Sequence, residues 1–456
     1  MENEAEEDWK MNEIKIIQEL IKDKKYAQIK LMISEWNSVH IGEVLDALDK
    51  NNALIIFRML PKDIAVEVFA YLPYERQMSI IETITDAEIK NIIDELYFDD
   101  LVDILEEMPA NLVKKILKHA KPEERNLINQ FLNYPENSAG SIMTIEYVDL
   151  RKEMKVGEAI EHIKKTAYDK ETIYTCYVID SNRKLEGIIS LRRLILSDSD
   201  AIIGDIMNTD VISVHTLDDQ EEISGVFKKY DLIALPVVDN EDRLTGIITI
   251  DDVVDVIEQE NTEDFQKMAA MTPSEEKYLE SSTFYLAKNR IMWLVVLMIS
   301  ATFTGAIIRR FEVVLQSVVV LAAFIPMLMD TGGNAGSQSA TLIIRGLALG
   351  EIEPKDTLRV LWKELKVSFL VGLVLSIINL VRILVFDKVE FTIGIVVSIT
   401  MFTTVIIAKL VGAMLPIGAR KLRLDPAIMA SPLITTIVDT VALIVYFWLA
   451  SVLMGI

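Results

Sequence analysis

Cysteine and histidine are almost missing from this 456-residue chain, which holds one cysteine, Cys176, and four histidines. That scarcity excludes a disulfide framework and leaves no Cys/His set for zinc. Basic side chains are short too, 46 Lys and Arg against 69 Asp and Glu, for a net charge of −23. An acidic surface repels nucleic acid, so nucleic acid is not an expected partner; cations and basic surfaces are. The opening MENEAEEDWK is acidic where a signal peptide would be basic and then apolar, so the first part is expected to be cytoplasmic. No nucleophile sits with a base and no phosphate-binding glycine loop occurs, so the chain is not expected to be an enzyme.

The charge is unevenly spread. Residues 284–456 contain 10 acidic and 15 basic side chains, which leaves 59 acidic and 31 basic before them. A soluble body of about −28 therefore precedes a hydrophobic, mildly basic part of about +5, an arrangement that suggests several unlike domains.

From Leu60 a helix-breaking signal returns at a near-constant spacing: LPKD, LPYE, ITDA, LYFD, MPAN and AKPE. Between these lie short apolar-periodic stretches such as IAVEVFAYL and LVDILEEM. The spacing predicts a stack of short helices, a miniature α-solenoid over residues 12–133. Residues 138–262 carry a second repeat. SIMTIEYVDLRKEMKVGEAIEHIKK aligns with DIMNTDVISVHTLDDQEEISGVFKK, and YVIDSNRKLEGIISLRRLI with PVVDNEDRLTGIITIDDVV. Each copy reads strand, helix, strand pair, helix, and the pair resembles tandem CBS domains, which sense ligands rather than catalyse.

A charged stretch, 263–289, has enough apolar spacing for a linking helix, and residues 290–456 hold five apolar segments: Ile291–Ile308, Val313–Met329, Val367–Phe386, Phe391–Met414 and Pro432–Gly455. Several reach the roughly 20 residues a bilayer requires, and the second lengthens if its helix runs past its glycines. Basic residues gather on the cytoplasmic side of membranes. With the N-terminal part inside, Arg345, Lys355, Arg359, Lys363, Lys366, Arg420, Lys421 and Arg423 fall on inner loops, and Ile456 falls outside.

Two intramembrane features are more polar than packing requires. The last segment carries one acid, Asp439, with Thr435 and Thr436 a turn earlier; a carboxylate at bilayer depth costs about 2.5–3.5 kcal/mol and usually faces a bundle interior or a water-filled path. The second segment ends in MDTGGNAGSQSA, where Asp330, Asn334, Ser337 and Gln338 stand among glycines that allow either close helix contact or a helix break.

P-x-L-x-x-T-G-G-N-x-G-x-Q and P-L-[IV]-x-T-x-x-D, with the order of parts, resemble the MgtE family of magnesium channels over nearly the whole chain. The resemblance implies a multidomain protein with an all-α helical-repeat N-terminal domain, an α/β tandem CBS pair, a linking (plug) helix and a five-helix transmembrane domain. It implies a homodimer in the plasma membrane with one pore on the twofold axis, where Asp439 binds hydrated Mg2+ and Gly333 and Asn334 belong to the pore motif; LRLDPA supplies Asp425. A lone Asp439 is a weak magnesium ligand, but symmetry doubles it, and a divalent ion between two carboxylates removes their repulsion.

The soluble body holds a second constellation. DDVVDVIEQENTED places Asp252, Asp255, Glu260, Glu263 and Asp264 where the second repeat ends, and LYFDDLVDIL puts Asp99 and Asp103 four apart on one helix face, with Asp99 also suited to an N-cap. By resemblance, Glu67, Asp219, Glu221 and Asp231 join them, and the set acts as a sensor that closes the pore when internal magnesium is high. Thr249 with Asp252 also fits the T-x-x-D pattern by which CBS domains hold a ribose, so ATP is a candidate ligand; repeat one has Ser190 and Arg193 there instead. Competing functions are a carrier of Co2+ or Mn2+, which share oxygen ligands with magnesium, and a membrane-anchored CBS regulator whose spans only dock a partner.

Overall fold

The structure is a computed structural model that describes residues 13–274, 278–279, 281–429 and 431–455. Two compact units divide the chain, residues 1–256 and 257–456.

The first unit begins with short helices: α1 (13–22), α2 (Tyr26–Ile33), α3 (Ser38–Ala47), α4 (Lys50–Phe57), α5 (Lys62–Ala70), α6 (Tyr74–Thr83), α7 (Asp86–Glu95), α8 (Phe98–Glu107), α9 (Ala110–Leu117) and α10 (Pro122–Phe131). From α5 onward the helices start at residues 62, 74, 86, 98, 110 and 122, a strict twelve-residue period. Four of these breaks have a local cause. Pro61, Pro73 and Pro109 precede α5, α6 and α9 with extended ψ, and Thr85 closes a capping box with Glu88 on α7. The residue before each later break, Leu72, Ile84, Leu96, Met108 and Ala120, is buried, so every turn is pinned to the core by an apolar side chain.

The repeats of the same unit are β1 (Val148–Leu150), α11 (Val156–Thr166), β2 (Thr175–Ile179), β3 (Leu185–Ser190) and α12 (Leu191–Leu196), then α13 (Ile203–Ile206), β4 (Val214–His215), α14 (Gln220–Tyr230), β5 (Ala234–Val238), β6 (Leu244–Thr249) and the start of α15 (Ile250–Met268), whose residues from 257 on belong to the second unit. Both sheets pair a parallel strand with an antiparallel one, and their registers match, Thr175 opposite Ser190 and Ala234 opposite Thr249. The opening residues are exchanged. Met143 from repeat one packs on Gly246 of repeat two, Met207 packs on Gly187 of repeat one, and a Cβ at Gly246 would meet the Thr144 carbonyl oxygen at 2.6 Å. The shared I-M and G-I-I elements are thus the two halves of one contact.

The second unit contains α16 (Thr283–Arg310), α17 (Glu312–Ser317), α18 (Ile325–Ala348), α19 (Thr357–Arg382), α20 (Phe391–Lys421) and α21 (Ser431–Met454). Five helical segments among the described residues are long and apolar enough to cross a membrane: Thr283–Arg310, Val319–Ala348, Pro354–Asp387, Phe391–Lys421 and Pro426–Met454. Two expectations change. The second span begins later, at Val319, because 312–317 forms a separate short helix, and it lengthens to Ala348 because α18 continues through its glycines, the alternative the sequence left open. No single helix fills 263–289 either: α15 ends at Met268 and α16 begins at Thr283, capped by the Ser282 hydroxyl. α19 is inverted relative to a soluble helix, with Glu364, Ser368, Gly372, Ser376 and Asn379 on its buried side.

Candidate functional site

The glycines of α18 are used for close packing. A Cβ on Gly332 would lie 2.8 Å from Thr404 and Val438, on Gly333 2.8 Å from Thr435, and on Gly336 2.7 Å from Ile434; one on Gly412 of α20 would run into the Gly336 carbonyl. Small residues let the backbones of membrane helices approach, and here they seat α20 and α21 against one face of α18. The other face carries Asp330, Asn334, Gln338 and Arg345, all exposed in the single chain. Spacings of four, four and seven residues align them as a polar stripe along one side of a membrane helix.

Asp439 stands half-buried on α21. The contacts of Gly333 with Thr435 and Gly332 with Val438 show that α18 and α21 run antiparallel, which brings Asp330 level with Asp439. Thr435 and Thr436 do not serve the acid: both hydroxyls donate to the Pro432 carbonyl, at 2.9 and 3.0 Å. The Ser337 hydroxyl likewise donates to the Gly333 carbonyl at 2.8 Å.

The acidic run of α15 divides between two environments. In the first unit Asp252 joins Asp99, Asp100, Glu146, Glu171 and Asp251 in one electrostatic cluster. Asp99 lies in the first turn of α8, not at its cap, which is Tyr97; its Oδ1 is buried with no hydrogen-bond partner among the described residues. Burial, with the charges of Asp252, Asp100, Glu171 and Glu146, pushes the Asp99 carboxyl up to about 9. Burial and neighbouring acids also push Asp100 up to about 6 and Glu171 up to about 7. Asp252 rises to about 6 because burial, Asp251 and Asp100 outweigh the Thr249 hydroxyl, which donates to its Oδ2 at 2.7 Å. Glu146 accepts the Phe98 N–H at 3.1 Å, so it sits at the positive end of α8.

Asp264, later in the sequence of α15, belongs to the second unit. There Lys267 bridges Glu263 and Asp425, both at 2.6 Å. Burial works to lower the Lys267 ammonium, but its hydrogen bonds to Asp425 and Glu263 prevail and hold it at about 12. Burial and Asp425 push Asp264 up to about 6.

The other expected sensor residues are spread out. Glu67 is exposed and accepts the Ser38 hydroxyl at 2.5 Å, while Asp103 and Asp255 are exposed and Glu260 is half-buried. Asp219 caps α14 by accepting the Glu221 N–H, and Asp231 ends that helix at φ 51°. Among the described residues no three His, Cys, Asp or Glu side chains converge as a metal site.

Family models match along most of the chain: an MgtE intracellular N domain at 36–137, CBS domains at 139–199 and 203–259, and an MgtE divalent cation transporter domain at 325–449. The magnesium transporter MgtE of Thermus thermophilus is 37% identical over 96% of this chain and 98% of its own length; that of Bacillus subtilis is 31% identical over 96% and 99%. The chain belongs to the MgtE family of magnesium transporters. Two solved structures are also similar. The soluble part of a magnesium transporter is 31% identical, with a TM-score of 0.51, over 55% of this chain and 99% of that one. The cytosolic domain of the Mg2+ channel MgtE in complex with ATP is 35% identical, with a TM-score of 0.50, over 53% and 98%.

With five such spans and a transporter family, the chain is a multi-pass membrane protein. Sequence reasoning missed Asp100, Glu146, Glu171 and Asp251, which no local pattern joins to Asp99. It also missed Glu364 and Lys409. Lys409 had a signal, a lone cation in the apolar run TTVIIAKLVGAM.

Proposed function

We propose that the chain is a magnesium-selective, magnesium-gated channel of the plasma membrane, with its pore on the axis of a homodimer. The observation that carries this reading is the stripe Asp330, Asn334, Gln338 on α18, level at its upper end with Asp439. Polar side chains left open on a membrane helix need a partner chain or water, and a second copy placed there would supply both and double each carboxylate. Magnesium keeps most of its water and takes one or two carboxylates, so a symmetric pair of Asp439 suits it. The basic residues Arg345, Arg359, Lys363, Lys366, Arg420 and Lys421, expected on loops, lie instead toward one end of α18, α19 and α20, and their clustering there supports a cytoplasmic N-terminal part and an outer C-terminus.

Internal magnesium closes the channel in this reading. Asp99, Asp103, Asp252, Asp255, Glu260, Glu263 and Asp264, with Glu67, Asp219, Glu221 and Asp231, form weak oxygen sites that need no three-ligand convergence, because water completes the shell. A second ligand, ATP, is favoured by the relative's complex and by the Thr249–Asp252 pair at the end of β6.

The test is magnesium flux in liposomes containing the full chain. Asp439→Ala and Asp439→Asn are expected to abolish most flux while the dimer stays folded. Wild-type flux from correctly inserted Asp439→Ala would remove the pore reading, and a chain that is monomeric when active would remove the dimer axis.

A further inference from the structure

Behind the polar stripe, on the sealed side of α18, three helices meet through charged groups. The Ser339 hydroxyl donates to Glu364 Oε2 of α19 at 2.6 Å, and the Lys409 ammonium of α20 donates to Ser339 Oγ at 3.4 Å. Ser339 is 1% exposed, Lys409 5% and Glu364 9%. A carboxylate and an ammonium inside membrane spans are each costly alone; bridged by a hydroxyl they sum to zero charge.

We infer that Glu364, Ser339 and Lys409 are positioning residues for magnesium permeation. The inference rests on the pore reading above. The glycine contacts at Gly332, Gly333 and Gly336 bring the helices close through van der Waals packing alone, which carries no hydrogen-bond direction. The charged bridge is directional and joins α18 to two neighbours at one point. Ser339 directly follows Gln338 of the stripe, so fixing Ser339 fixes the angle at which Gln338, Asn334 and Asp330 face the ion path. The network does not touch the ion; it sets the placement of groups that do, as outer-shell partners orient metal ligands.

The experiment measures magnesium flux against magnesium concentration in liposomes holding full-length Ser339→Ala, Glu364→Gln, Lys409→Met and the double variant Glu364→Gln/Lys409→Met. Asp439→Asn is measured alongside. Ser339→Ala removes the bridge without adding bulk, so it keeps the test valid if the single charge variants fail to fold. The expected result is a half-saturating concentration raised about tenfold in Ser339→Ala and in the double variant, with dimer yield and melting near wild type. A purely structural role would lower maximal flux in step with folded protein and leave half-saturation unchanged. Unchanged half-saturation in folded Ser339→Ala, while Asp439→Asn is impaired, overturns the positioning role alone. Wild-type flux in Asp439→Asn overturns the pore reading and the positioning role with it.

Discussion

Asp330 and Asp439 stand level on antiparallel α18 and α21, close enough for their charges to repel. Asp330 occupies a position that the quoted pore motif leaves unspecified, so its carboxylate adds charge beside the motif acid. In a dimeric pore the pair becomes four carboxylates, which one divalent ion relieves better than a monovalent one. Asp330→Asn is therefore expected to raise the half-saturating magnesium concentration about tenfold, a change of about 1.4 kcal/mol, with a smaller loss of maximal flux than Asp439→Asn. Concentration-dependent uptake into liposomes measures both, and an unshifted curve removes Asp330 from the path.

Gly412 and Gly336 test the packing. A methyl group on Gly412 meets backbone, the Gly336 carbonyl, which cannot swing aside as a side chain can. Gly412→Ala should destabilise the membrane unit by about 1–3 kcal/mol, the usual cost of overpacking. Gly418→Ala, with nothing within 4 Å of its added carbon, is the control and should be neutral or slightly stabilising. Denaturant unfolding in detergent reports the difference; equal midpoints for the two variants would show that α18 and α20 separate at little cost.

The cluster around Asp99 predicts an unusual pH response. An acid whose folded value is raised above its ordinary value of about 3.9 binds its proton more tightly in the folded state. Stability is then greatest below the ordinary value and falls as pH rises toward the folded one. With Asp99 at about 9, Glu171 at about 7 and Asp100 and Asp252 at about 6, the window runs from about pH 4 to pH 9. In chelator, the protection of amides in residues 98–107 and 250–256 of the full chain, taken relative to the intrinsic exchange rate at each pH, should fall across that window. Magnesium at about 10⁻³ M, the range of weak oxygen sites, should flatten the response. Equal exchange with and without magnesium at pH 8 would show that the ion does not neutralise this cluster.

The twelve-residue rhythm of the helical stack was legible because proline and capping signals are local, and Pro61, Pro73 and Pro109 act within one turn of where they stand. The repeat pair was legible because both copies share their β registers. The end of the second span stayed open in the sequence because glycine's meaning depends on its neighbours: Gly332 and Gly336 would weaken an isolated helix, yet Val438, Ile434 and Thr404 fill the space that side chains would have taken. The acidic sites were half legible. Asp99 and Asp252 carry local signals, whereas Glu146 and Glu171 reach the cluster only through the fold of the first unit, as Glu146 shows by accepting the Phe98 N–H. Lys267, read as one more charge in a linking stretch, became meaningful only when Asp425, 158 residues away, was found against it.

Lys267 supplies the last prediction. Its ammonium bridges Glu263 and Asp425 with Asp264 close by, so it does with one tethered charge part of what a divalent ion does with two. Lys267→Met keeps the length and apolar stem and deletes the charge. Three carboxylates then repel without a counter-charge, and a divalent ion gains the electrostatic energy the lysine had supplied. If internal magnesium closes the channel through this end of α15, the variant should close at lower magnesium, by about tenfold for a change of about 1.4 kcal/mol, and should open more readily in chelator. Its unitary conductance should stay at the wild-type value, since the lysine lies outside the spans. Single-channel recording with internal magnesium varied separates the outcomes: an unmoved inhibition curve would show that this ion pair is not part of the gate, and a changed conductance with unmoved inhibition would place these acids along the ion path instead.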